Sequence, residues 1–170
     1  MKATPTPVLA LALALTLPGA TFAEVKTETV QYHDGDQVLT GFLAYDDSLA
    51  GKRPGVLVVH EWWGLNDYAK RRAEMLAELG YVAFAADMYG DNRVTEHAAD
   101  AKGWMMQITE NQEAWQRRAQ AGLEALKASD KVDGERLAAI GYCFGGATVM
   151  QLAYAGADLD GVVSFHGALP

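Results

Sequence analysis

The stretch Ala139-Ile140-Gly141-Tyr142-Cys143-Phe144-Gly145-Gly146-Ala147 decides how this chain is read. An apolar strand expected over Arg136 to Tyr142 runs directly into a helix expected over Phe144 to Ala155, and the join is Gly141-x-Cys143-x-Gly145. This is the G-x-S-x-G pattern with cysteine in place of serine. So tight a strand-to-helix turn forces strained backbone angles on its central residue, and residues two positions to either side must be small to avoid collision. Cys143 is thereby expected at the carboxyl end of its strand and the N-terminus of the next helix. There the helix dipole favours a thiolate, and the Phe144 amide can donate to an oxyanion. A dinucleotide-binding reading fails, because G-x-G-x-x-G needs glycine where Cys143 stands.

Outward from that turn the chain alternates. Thr27 to Tyr32 and Val38 to Tyr45 read as a hairpin around His33-Asp34-Gly35-Asp36, and Gly55 to His60 reads as a strand buried on both faces. Asn66 can cap a helix from Asp67 to about Leu79, with Gly80 as its stop. Tyr81 to Ala86 is a second core strand, and a helical region follows from about Thr95. Within it Trp115, Ala119, Gly122, Leu123 and Leu126 fall on one face. Leu159 to Phe165 reads as a further core strand. Such alternation implies an α/β fold: a mainly parallel sheet with helices on both faces, entered through an antiparallel hairpin.

The strand ending at His60 continues as Glu61-Trp62-Trp63-Gly64. The loop after this strand is where a second oxyanion donor is expected, which makes the backbone N–H of Trp62 the candidate. Glu61 is expected beside Cys143, where a carboxylate can accept from the thiol or compete for its proton. Trp63 is a candidate for substrate contact or for packing.

These segments together resemble the dienelactone hydrolases. His60-Glu61-Trp62-Trp63-Gly64 is similar to that family's strand-end acid motif, Asp87-Met88-Tyr89 to its D-L-Y, and Gly141 to Gly146 to its nucleophile motif; the likeness runs from about Thr27 to Gly167. The resemblance implies an α/β-hydrolase fold and a Cys-His-Asp triad cleaving an ester or lactone through an acyl-enzyme, with Glu61 holding the resting thiol. It also implies an arginine for an anionic substrate shortly after D-L-Y. Asp91 occupies that place here, and Arg93 is the nearest arginine. The family's Asp and His lie after a later strand and have no counterpart between Phe144 and Pro170, so the domain is expected to be incomplete at its C-terminal end and turnover impaired. His166, at the end of the last strand, is the substitute base or substrate-contact candidate; His60 is expected to face away, and His33 and His97 to be solvated.

The remaining features bound the function. Residues 1 to 23 read as a secretory leader: Lys2, an apolar run from Val8 to Leu17 too short to span a bilayer, then Thr21 and Ala23 before a cut at Glu24. Export to the periplasm or medium is therefore expected, with one domain over 24 to 170. A formal net charge of −8 argues against nucleic acid or an anionic membrane as partner and leaves a small-molecule ester or lactone. A single cysteine excludes an internal disulfide, and no His, Asp or Glu cluster has metal-ligand spacing, so no metal or cofactor is expected. Two other readings keep the same fold or the same thiol: a non-catalytic binding relic, and an exported thiol redox protein, which would lack a resolving cysteine.

Overall fold

The computed structural model describes residues 24–169, so the expected leader lies outside the described residues. Ten elements follow in order: β1 (Val25–Asp34), β2 (Gln37–Asp46), β3 (Arg53–Val59), α1 (Asp67–Glu78), β4 (Val82–Ala86), α2 (Ala98–Thr109), α3 (Gln112–Lys127), β5 (Val132–Tyr142), α4 (Phe144–Tyr154) and β6 (Gly161–Phe165). They build one six-stranded sheet in the order β1-β2-β4-β3-β5-β6. The hairpin turns at Gly35, which sits at φ +60°, and β2 joins β4 antiparallel. β4, β3, β5 and β6 run parallel. His33, expected in the turn, belongs to β1 and is exposed.

Each face of the sheet is closed by helices whose sequence fits the distance available. Ala69, Ala73 and Ala77 form a small-residue seam on α1, four apart and so on one face, and lie against Ala44, Val58, Ala83 and Ala85. Asn66 caps this helix by accepting from the Ala69 amide at 3.2 Å, and Gly80 ends it at φ +90°. On the other face α3 buries Trp115, Ala119, Gly122, Leu123 and Leu126, the face expected from their spacing. α4 adds Phe144, Val149 and Leu152 to the same core.

One difference from the sequence expectation stands out. The helical region after Thr95 is two helices, because the Asn111 side chain accepts from the Ala114 amide at 3.0 Å and starts α3 afresh. β6, an apolar run read as a core strand of the whole fold and expected to stand as an exposed apolar edge in this chain, alternates between exposed and half-buried, leaving Val163 and Phe165 open. Apolar content marks a strand but does not say whether its outer side is covered. The crossover from β3 goes to β4 on one side, and the one from β4 passes back over β3 to β5 on the other, so the direction of travel reverses around β3. The carboxyl ends of these strands are where such a sheet opens a crevice.

Candidate active site

Cys143 occupies the join between β5 and α4 with φ +53° and ψ −115°, left-handed backbone that a residue with a Cβ rarely adopts. The glycines around it are required by contact. A Cβ on Gly141 would overlap the Gly145 carbonyl, and one on Gly145 would overlap the carbonyl oxygens of Val59 and His60. The turn is tied to the sheet by the Cys143 N–H, which donates to the Phe165 carbonyl at 2.9 Å. Cys143 is half-buried.

Phe144 opens α4, so its N–H has no acceptor within the helix. Neither it nor the Trp62 N–H donates to a backbone carbonyl among the described residues. The Trp62 carbonyl, by contrast, is fixed: the Tyr89 hydroxyl donates to it at 3.0 Å. Burial pushes the Tyr89 phenol up from its ordinary value.

The segment Asp87-Met88-Tyr89 does structural work that the sequence alone did not disclose. Asp87 is fully buried, and its Oδ1 accepts from the Tyr89 amide at 3.0 Å and the Gly90 amide at 2.9 Å, which closes the loop after β4. The Met88 amide donates to His60 Nε2 at 3.2 Å. His60 Nδ1 faces the Glu61 carbonyl, so that nitrogen carries the proton and the ring is neutral. Burial holds its pKa below the ordinary histidine value. Its ring packs against Tyr89 and Phe144. The three strand ends are thus wired to one another through a buried, uncharged histidine.

Glu61 is brought to the same edge, and its hydrogen bond goes to His166 rather than to the thiol: Nε2 and Oε1 are 3.2 Å apart. The Glu61 side chain is 29% exposed and that of His166 61%. Trp63 packs edge-on against Trp62 and lines a hollow of about 300 Å³ with Asn66, Val94, Thr95 and Glu96. Arg93 is turned back on its own loop, donating to the Tyr89 and Gly90 carbonyls with its guanidinium over the Trp104 ring. His33 and His97 are both exposed. No group of three or more His, Cys, Asp or Glu able to hold a metal occurs among the described residues.

What the arrangement can do follows from these parts. A sulfur at a helix N-terminus, followed in the chain by the unengaged Phe144 amide, can attack a carbonyl carbon and leave the resulting oxyanion near that donor.

Comparison with known proteins identifies a family. The model of the dienelactone hydrolase family matches residues 39–170. Protein usf of Aquifex pyrophilus is 33% identical over 119 residues, covering 67% of this chain and 51% of that protein. The solved structure of m3DLH superposes with a TM-score of 0.83 at 43% identity, covering 86% of this chain and 61% of that one. A dienelactone hydrolase-like promiscuous phosphotriesterase from metagenomic libraries gives 0.83 at 47%, covering 85% and 60%. The chain therefore spans between half and two thirds of the length of these relatives.

Proposed function

This chain belongs to the dienelactone hydrolase family, and from that premise we propose that it acts on carboxylic ester or lactone bonds with Cys143 as nucleophile. The observation that supports the reading is the strained turn at Cys143, which sets that residue at the join of β5 and α4, next to the Phe144 amide; the Trp62 amide is the second donor in this reading. The α4 dipole favours the thiolate. Its electron pair forms a C–S bond at the carbonyl carbon while the carbonyl oxygen takes the negative charge and accepts from the two amides. Collapse breaks the C–O bond, expels the alcohol, which takes up a proton, and leaves a thioester on Cys143. In a lactone the alcohol stays attached to the acyl group. Water then cleaves the thioester with the help of a base.

Trp63, beside its hollow, and His166 are the side chains placed to touch the acyl or alcohol part. Arg93, engaged with its own loop, would need to release two carbonyls first. Export belongs to the same reading: a leader cut after Ala23 gives an exported protein whose intact mass begins at Glu24, and a periplasmic or secreted fraction lacking that species would overturn it.

Acylation is the step these residues equip, so the test reads acylation. Mixed with an activated aryl ester, the protein is expected to release about one equivalent of phenol in a burst, blocked by prior alkylation and absent in Cys143→Ala. A burst that survives in Cys143→Ala removes the cysteine from the mechanism.

A further inference from the structure

Two successive peptide groups of the loop after β3 are held by buried side chains, and the first of them carries the Trp62 N–H. His60 is 1% exposed. Its Nε2 accepts from the Met88 amide at 3.2 Å, which leaves the ring proton on Nδ1, and that N–H meets the Glu61 carbonyl oxygen. The same carbonyl closes a turn: the Gly64 N–H donates to it at 3.4 Å, and a Cβ on Gly64 would overlap the Arg93 carbonyl oxygen. The next peptide is held by the Tyr89 hydroxyl, which donates to the Trp62 carbonyl at 3.0 Å.

The direction of the Trp62 N–H follows from peptide geometry. The Glu61 carbonyl and the Trp62 N–H belong to one planar trans unit, in which the two bonds point opposite ways. With the carbonyl drawn toward the buried ring, the N–H is turned away from it. A turn closed between its first and fourth residues makes no use of the N–H of its second, and the Trp62 N–H donates to no backbone carbonyl among the described residues. Hydrogen bonds accepted by the carbonyl also polarise the unit and strengthen the N–H at its other end as a donor. This loop starts against the nucleophile's own turn, since a Cβ on Gly145 would overlap the carbonyl oxygens of Val59 and His60.

We propose that His60 is a positioning residue for the oxyanion: its Nδ1–H holds the Glu61–Trp62 peptide in the orientation that leaves the Trp62 N–H free to donate to the negative oxygen formed during acylation. It acts through the peptide and not on the substrate. The proposal rests on the reading of Cys143 as nucleophile and of the Trp62 amide as second donor.

The experiment compares two reactions of Cys143 on the full chain. Acylation by an activated aryl ester creates an oxyanion. Exchange with dipyridyl disulfide does not, because the thiolate attacks sulfur, forms a new S–S bond and expels thiopyridone. The ratio of the two rate constants cancels changes in the thiol and in the folded fraction. His60→Gln offers an oxygen to the Met88 amide but has no donor at the Nδ1 position, whereas His60→Asn keeps a donor there and loses the acceptor. Both disturb a buried site, and only the first unties the peptide. Because removing a whole oxyanion donor costs about 10²–10³ in rate, His60→Gln is expected to lower the ratio by about 10- to 100-fold and His60→Asn by less than about threefold. Equal loss in both variants, or loss in neither, overturns the proposal. Should His60→Gln not fold, nitrogen-15 NMR of the native chain decides: a slowly exchanging His60 proton on Nδ1 supports the proposal, and a proton on Nε2 overturns it.

Two further arms separate this proposal from the reading beneath it. Trp62→Pro, which the second position of a turn accepts, removes the N–H itself and is compared with Trp62→Ala. A lower ratio in Trp62→Pro than in Trp62→Ala, with His60→Gln unchanged, keeps the donor and sinks His60 alone. Equal ratios in the two Trp62 variants sink the donor, and an ester burst that survives Cys143→Ala sinks the nucleophile; either result takes the proposal with it.

Discussion

Two histidines follow the strands on either side of β5, and the fold treats them in opposite ways. His60, after β3, is 1% exposed and neutral, with both nitrogens bonded to backbone groups. His166, after β6, is open to solvent and meets a carboxylate. The same side chain at equivalent strand ends is a structural strut in one place and a chargeable partner in the other. The neighbours differ: β3 is covered by helices on both faces, whereas among the described residues no strand pairs with the outer side of β6.

Substitutions can break this comparison at several depths. The buried side fails most completely at Gly145, whose space is taken by the carbonyls of Val59 and His60. Gly145→Ala is expected to cost more than about 3 kcal/mol, because backbone has to move, so the variant should be largely insoluble or show a collapsed urea midpoint. Next comes His60→Ala, which strands the Met88 amide and empties a buried ring. About 2–4 kcal/mol in urea unfolding is expected; a loss below about 1 kcal/mol would mean that the strut is dispensable.

Acidification should test the buried histidine directly. Burial depresses the pKa of His60 in the folded state, so below the unfolded value of about 6.5 the unfolded chain binds a proton that the native state refuses. Stability contributed by neutral His60 is present above that pH and lost as pH falls below it, at up to about 1.4 kcal/mol per pH unit. Urea midpoints measured from about pH 7 to 5 should show that slope in the native chain and lose it in His60→Gln.

The smallest effect belongs to the exposed side. His166→Gly removes an exposed pair but relieves a left-handed backbone, and these oppose each other, so a change within about 0.5 kcal/mol is expected. A large destabilisation there would make His166 a strut as well.

How much of this was legible in the sequence depends on how local each constraint is. The elbow could be read because its glycines lie two residues from Cys143 and their contacts are with the same turn and the adjacent strand. The α3 face could be read because Trp115, Ala119, Gly122, Leu123 and Leu126 repeat at helical spacing and bury as that spacing requires. Asn111 carried a cap signal that was submerged in a long helical pattern. The wiring of the site was not legible, because its partners are remote along the chain: 28 residues between His60 and Met88, 27 between Trp62 and Tyr89, and 105 between Glu61 and His166. Pattern could place each of these residues at the edge of the sheet, but only the tertiary fold pairs them.

The left-handed backbone at Cys143 and His166 also bears on how this protein would change under laboratory evolution. Glycine fits both positions without strain, and such replacements stabilise the chain wherever the side chain's contacts matter less than the relief. A library screened only for heat resistance or yield should therefore accumulate glycine at 143 and 166, while one screened for thiol reactivity should reject it at 143. The pair of positions would serve as an internal gauge of which property a screen has actually rewarded.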